Sequence, residues 1–299
     1  MMIIIIYMQF LKNIDYNNID KGIEFLKKNE LKFHLSDNEE TIYHVYWYGE
    51  IKRKQICCIN SYLATQDLSN TKLWVWLDYE TFELSENKVP KHNNIIIKKY
   101  VPDIEAKDTL FEGKQIINQN KFLKFRSDLA RIIFLHKYGG LYYDLDMILL
   151  KDLKPLLGIE FCYAWSTKKE GNNGILRIKK NSELSNQLIQ KYLELIPNKK
   201  FVVWYNQFIF TNEINIINLP SVLFDPVWIL HDLNVTSKYS KLNNLDNFFR
   251  ETDEDISNFF DNKIYAYHWH SRSNYEVEKN SYFERIELMH LNKLNNKII

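Results

Sequence analysis

Two carboxylates stand two residues apart in the string Leu141-Tyr142-Tyr143-Asp144-Leu145-Asp146. The hydrophobic lead-in reads as a strand over Leu141–Leu145, and in a strand residues two apart project to the same side. Asp144 and Asp146 therefore aim two negative charges at one point. Two such charges repel unless a cation lies between them. Oxygen ligands select a hard divalent ion such as Mg²⁺ or Mn²⁺. The pair also falls at the carboxyl end of its strand, where open α/β sheets bind ligands. Just upstream, Asp128 and Arg131 are three apart on a helical pattern and share a face. By itself that pair could be a surface ion pair worth a few tenths of a kcal/mol. Its helix runs through Gly139-Gly140 directly into the acidic strand, which brings the face towards the same point.

The elements that must position these groups follow from periodicity. Thr41–Gly49, dense in β-branched and aromatic residues, reads as a strand ending in a turn. Lys54–Asp67 reads as a helix, Lys72–Leu77 as a second strand, and Asn94–Lys98 as a third, bounded by Pro90 and Pro102. In Asn120–Tyr138 the apolar positions Phe122, Phe125, Leu129, Ile132, Ile133 and Leu135 follow a helical period. Asn120 could cap its start, and Gly139 can adopt the left-handed conformation that ends helices. A short strand at Glu160–Trp165, a helix near Ser182–Ile196, and aromatic segments at Phe201–Phe210, Ser221–Ile229 and Ile264–His270 complete the reading. Residues 1–40 read as a polar helical extension with Ile19, Ile23, Leu26 and Leu31 at near-helical spacing, leaving 41–299 as a single domain. Alternating strands and helices predict an α/β fold with a largely parallel sheet.

Ser127-Asp128-x-x-Arg131 followed by Gly139-Gly140-x-Tyr142-x-Asp144-x-Asp146 resembles the sugar-binding region of DXD glycosyltransferases, most of all glycosyltransferase family 32 and, more distantly, the clostridial glucosylating toxins. Tyr43-His44-Val45-Tyr46-Trp47-Tyr48-Gly49 is similar to the first strand of those enzymes, Asn172-Asn173-Gly174-Ile175 to their donor-pocket segment, and Ala266-Tyr267-His268-Trp269-His270 to their closing A-x-H motif. The resemblance implies a GT-A-type, Rossmann-like mixed sheet flanked by helices. It implies a nucleoside diphosphate sugar donor, UDP-linked more readily than GDP-linked, and retention of anomeric configuration. Trp47, with Tyr46, Asn173 and Gly174, would line the donor site, Trp47 stacking on the base. Asp128 and Arg131 would bind donor-sugar hydroxyls, and with Asp144 they form the expected catalytic set. Asp144, Asp146 and either His268 or His270 would hold the metal, Mn²⁺ accepting imidazole more readily than Mg²⁺. Two segments depart from the pattern: Trp204-Tyr205-Asn206-Gln207-Phe208, and Ser271-Arg272-Ser273-Asn274-Tyr275. Both fall where acceptors and closing loops sit, so the acceptor, a glycan or a protein, is the least defined partner.

Composition narrows the alternatives. A net charge of +1 gives no electrostatic footprint for nucleic acid or an anionic membrane. Three cysteines, Cys57, Cys58 and Cys162, do not make a disulfide framework and read as buried thiols. The apolar start Met1–Phe10 is too short to span a bilayer and lacks a basic lead and a cleavage site, so neither a signal peptide nor a transmembrane helix is expected. A cytoplasmic, or soluble lumenal or peripheral, protein is expected, the lone Asn234-Val235-Thr236 sequon carrying little weight. Two rival functions fit parts of the chain. A haloacid dehalogenase-type phosphatase also carries a strand ending in D-x-D, with Asp253-Glu254-Asp255 as its acidic pair. It gives the Asp128/Arg131 helix no role. A non-catalytic carbohydrate-binding protein on a transferase fold would not need all four charged residues intact.

Overall fold

A computed structural model describes residues 40–118, 123–165, 171–195, 214, 216–228, 245–256, 264–270 and 274–297. The helical reading of the N-terminal extension, the proposed cap Asn120, the segment Phe201–Phe210, the Asn234 sequon and Ser271–Ser273 lie outside these residues. The expected parallel sheet is present. Strands β1 (Thr41–Trp47), β2 (Thr71–Asp78), β3 (Ile95–Tyr100) and β4 (Gly140–Tyr143) are joined by helices α1 (Arg53–Thr65), α2 (Pro102–Glu105) and α3 (Leu123–Tyr138). After β4 come β5 (Met147–Leu149), β6 (Phe161–Ala164), β7 (Gly171–Ile178), α4 (Glu183–Leu195), β8 (Ile217–Leu219), β9 (Ala266–His268) and α5 (Tyr282–Lys297). The main sheet has the order β3-β2-β1-β4-β7-β6-β8, and β5 pairs with β9 in a separate two-stranded ribbon. Every pairing from β3 to β4 is parallel. β7 runs antiparallel to both its neighbours.

β7 has no counterpart among the expected strands. Its Gly-Asn-Asn-Gly start has poor strand propensity, yet Gly140 to Tyr143 pair with Ile178 to Ile175 along it. Tertiary pairing overrides the local preference. The C-terminal helix α5 was likewise not expected.

Side-chain alternation splits the core into two layers. Tyr43, Val45 and Tyr143 face a cluster with Cys58, Tyr62, Tyr267 and Phe283, whereas Tyr46, Trp76 and Tyr142 face one with Ile133, Phe134 and Leu188. Helices α1 and α5 thus cover one face of the sheet, and α3 and α4 the other. The three cysteines are buried and unpaired, as expected. Among the described residues no helix is long and apolar enough to cross a membrane.

Gly139-Gly140 solves a packing problem. Gly139 takes φ +67° as it ends α3, as read from the sequence. A Cβ on it would stand 2.7 Å from the Lys180 backbone nitrogen. A Cβ on Gly140, at φ +103°, would stand 2.0 Å from the Ile42 carbonyl oxygen of β1. The pair lets β4 slot between β1 and β7. His44 locks the same joint: fully buried, its Nε2–H donates to the Gly139 carbonyl at 2.9 Å, while Nδ1 accepts the Trp76 indole N–H at 3.1 Å. A second proton on the ring would desolvate a charge and cost the Trp76 bond, and burial lowers the His44 pKa to about 4.

Two outcomes follow. Gly140→Ala should lower the unfolding free energy by more than about 3 kcal/mol, an overpacking loss compounded by a disfavoured φ; a melting temperature within a few degrees of the parent's would contradict it. Because the folded His44 pKa lies below its unfolded value, its contribution to stability is present above pH 6.5 and is lost as pH falls towards about 4. Imidazole NMR should therefore show a ring that stays neutral at pH 5.5, and a midpoint near 6.5 would refute the assignment.

Candidate active site

The acidic motif is a turn, not a strand end. β4 stops at Tyr143, and the Met147 amide closes onto the Asp144 carbonyl at 3.0 Å. The expected strand does not run on through Leu145: the turn, rather than the pleat, brings the carboxylates together. Leu145 is buried in the core between them, so Asp144 and Asp146 lie on the other side. Backbone bonds fix this turn from three sides. The Asp144 amide donates to the Gly174 carbonyl at 2.8 Å, the Trp269 amide to the Asp146 carbonyl at 3.0 Å, and the Cys58 thiol to the Leu145 carbonyl at 3.2 Å. β7, the exit of β9 and α1 all hold the motif in place.

Arg131 is the hub beside it. Its Nη2 lies 3.0 Å from Asp144 Oδ1 and 3.4 Å from Asp128 Oδ1. Nη1 donates to the Asn173 carbonyl at 2.6 Å and the Asn173 side-chain oxygen at 3.0 Å. Ser127 takes Nη2 on its hydroxyl and Nε on its carbonyl, and the guanidinium lies over the Tyr142 ring, 4.5 Å from its centroid. Burial alone would disfavour the cation; Asp144, Tyr142 and Asp128 together outweigh it and keep the group charged. Burial raises the Asp144 pKa, Arg131 opposes that rise, and Asp146 adds to it. The Tyr142 hydroxyl donates to Asp144 Oδ1 at 2.8 Å, and Asn173 donates to Asp128 at 3.2 Å. Asp128, Arg131, Asp144 and Asn173 thus form one network; spacing had brought the first three together, and Asn173 had come from the resemblance alone.

On the other flank, His268 of β9 places Nε2 3.1 Å from Asp146 Oδ1, and its Nδ1 lies 2.8 Å from the Tyr163 hydroxyl. Ligand atoms of Asp144, Asp146 and His268 all lie within 4.8 Å of one another. Two carboxylates and one imidazole suit a borderline divalent ion such as Mn²⁺, and Tyr163 orients the imidazole from behind. His270 belongs instead to a second cluster, with Asp225 and His268, whose ligand atoms also lie within 4.8 Å of one another. Its Nε2 pairs with Asp225 Oδ2 at 2.7 Å, and its ring stacks on His268 with centroids 3.9 Å apart. Gly174 is pressed against the same centre: a Cβ there would stand 3.1 Å from His268 Cε1 and 3.4 Å from Asp144 Oδ2.

Tyr46 and Trp47, adjacent in β1, go to opposite layers. Tyr46 is buried and donates its hydroxyl to Asp78 at 2.6 Å; Trp47 is partly buried and donates to the Glu50 carbonyl at 3.1 Å. Asp78 also faces Arg126 Nε at 2.9 Å, and Arg126 bonds Glu80 at 3.1 Å. This Tyr46–Asp78–Arg126–Glu80 chain at the carboxyl ends of β1 and β2 went unnoticed in the sequence, although Leu77-Asp78, an acid closing an apolar strand, was a readable signal. Tyr163 and Asp225 had no such signal.

Residues 53–162 match a family model described as the glycosyltransferase sugar-binding region containing a DXD motif. No curated protein matches the chain. Among solved structures, the glycosyltransferase GlyE of Streptococcus pneumoniae TIGR4 superposes with a TM-score of 0.51 at 17% identity, over 87% of this chain and 63% of that one. Its apo form gives 0.52 at 14%, over 86% and 62%. The chain therefore spans less than two thirds of GlyE. The galactosyltransferase LgtC, in complex with donor and acceptor sugar analogs, gives 0.47 at 12%, over 83% and 95%. The fold is of GT-A type, and residues 53–162 are similar to the sugar-binding region of DXD glycosyltransferases.

Burial by itself would lower the His268 pKa, but Asp146 overrides it and pushes it up to about 9. The His268–Asp146 pair in the metal-free protein thus stabilises fully below pH 6.5 and is lost as pH rises through about 9. Mn²⁺ binding at pH 7.5 should therefore release about one proton. Calorimetry in buffers of different ionisation enthalpy measures it, and zero release would remove His268 from the ligand set.

Proposed function

We propose that the chain is a metal-dependent transferase that moves a hexose from a nucleoside diphosphate sugar to a hydroxyl of a glycan or protein acceptor, with retention of configuration. The observation that carries this reading is the convergence of Asp144, Asp146 and His268 beside the buried Asp128–Arg131–Asn173 network. Retention rests on the resemblance to family 32. So does the preference for UDP over GDP.

Asp146 and His268, with Asp144, would hold Mn²⁺ or Mg²⁺. The chemistry such an ion would supply is positive charge for the leaving diphosphate. The protein's own groups set up that event. Arg131 spends its hydrogen bonds on Asp144, Asn173 and Ser127, so it fixes these partners before any substrate arrives. Such preorganisation avoids a reorganisation cost in the transition state. Asp128, one edge of the same network, offers a carboxylate to donor-sugar hydroxyls and to the cation-like sugar ring. Trp47, half-buried at the end of β1, suits stacking on the base. Tyr46 keeps its hydroxyl on Asp78 and so shapes the donor site through the Asp78–Arg126 pair.

Incubating the protein with Mn²⁺ and a panel of UDP- and GDP-sugars, without acceptor, should release nucleoside diphosphate from one donor. Chelation should abolish the release, and Asp146→Ala should lower it by at least about a hundredfold, as loss of direct metal stabilisation implies. Failure of every donor both to turn over and to bind with Mn²⁺ would defeat the proposal. Metal-dependent hydrolysis of a generic phosphoester in its place would favour the phosphatase reading.

A further inference from the structure

Beyond the metal triad lies a group that the donor chemistry does not use. Asp225 is 1% exposed; its Oδ2 meets His270 Nε2 at 2.7 Å, and its Oδ1 has no hydrogen-bond partner among the described residues. His270 itself sits at φ +52°. A non-glycine residue in that region is uncommon, and such strain clusters at functional sites. Two indoles complete the wall. The Trp228 ring lies 4.2 Å from His270, and Trp165 lies 5.6 Å from Trp228 and 6.3 Å from His270. Trp165 directly follows β6, is partly exposed and belongs to neither core layer. The His270 ring stacks on His268, so this aromatic corner is continuous with the metal triad on the flank away from Arg131.

The chemistry of the corner selects its ligand. A buried carboxylate disfavours an approaching phosphate, which argues against the donor's diphosphate. With Nε2–H donated to Asp225, His270 Nδ1 carries the lone pair and accepts from a hydroxyl. Indoles present broad apolar faces with a polar edge, which complement the C–H faces of a sugar ring. We propose that Trp165, Trp228 and the His270–Asp225 pair form the acceptor subsite, and that it takes a neutral pyranose rather than a peptide. The proposal rests on the transferase reading for the word acceptor, but binding of the sugar is independent of it. Trp165 supplies the stacking surface, Trp228 packs on the core and backs the His270 ring, His270 reads a ring hydroxyl, and Asp225 is a positioning residue that fixes the imidazole.

The test is direct binding to the full chain. Saturation-transfer NMR with methyl glucopyranoside, galactopyranoside and mannopyranoside, both anomers of each, should show transfer to the ring C–H protons of at least one probe. Trp165→Ala should weaken that probe about tenfold, Trp165→Phe should recover part of the loss, and Asp225→Asn should weaken it without abolishing the C–H contacts. Mn²⁺ and UDP binding is measured on the same samples. Trp165-dependent glycoside binding with no Mn²⁺ or UDP binding would uphold the sugar site and defeat the donor reading instead. No binding of any methyl glycoside, equal binding by Trp165→Ala, or Trp165-dependent binding of Ser/Thr peptides in place of the glycosides would each overturn the proposal.

Discussion

A buried guanidinium holds this site together. Arg131 reaches Asp144 on one side, Asn173 on another and Ser127 on its own helix, so α3, the turn after β4 and the start of β7 meet at one side chain. A charge removed from water is tolerated only when its hydrogen bonds are satisfied. That requirement constrains everything around it. The helix must present Ser127, Asp128 and Arg131 on one face. The turn must point Asp144 inward, and β7 must run antiparallel for Asn173 to arrive where it does. The two carboxylates of the turn have different partners: the Arg131 cation sits beside Asp144, while Asp146 faces His268.

The two imidazoles of the β9 segment show how small differences in surroundings divide labour. Their rings stack at 3.9 Å, yet burial lowers the His270 pKa despite Asp225, while Asp146 raises that of His268 despite burial. Stacked rings cannot both carry charge cheaply. One is thus committed to the acidic turn and the other to Asp225. A sequence reader sees two equivalent histidines flanking Trp269; only the fold separates them.

Much of the first half was legible because it obeys local rules. β1, β2, β3 and α3 announce themselves by period and by turn residues, and Gly139-Gly140 forces a tight joint that nearly any helix-to-strand reading would find. The spacing of Asp128, Arg131, Asp144 and Asp146 predicted a common site, and these four do converge. What stayed hidden depended on contacts between distant segments. β7 begins with Gly-Asn-Asn-Gly, which no propensity scale favours as a strand, because Gly174 must make room for His268 and Asp144. Tyr163 and Asp225 carry no local pattern, and their partners lie 105 and 45 residues away along the chain. The acidic pair was expected on a strand and is found on a turn, whose Met147-to-Asp144 closure depends on contacts with β7 and β9 that no local pattern shows.

The pairing of β5 with β9 has a consequence for biosynthesis. The acidic turn follows a parallel sheet whose strands and helices are contiguous in sequence, whereas His268 lies far downstream on β9 and reaches the turn only through the pairing of β9 with β5. Synthesis thus presents the two carboxylates of the turn before the imidazole that pairs with one of them, and the three groups meet only after β9 has docked on β5.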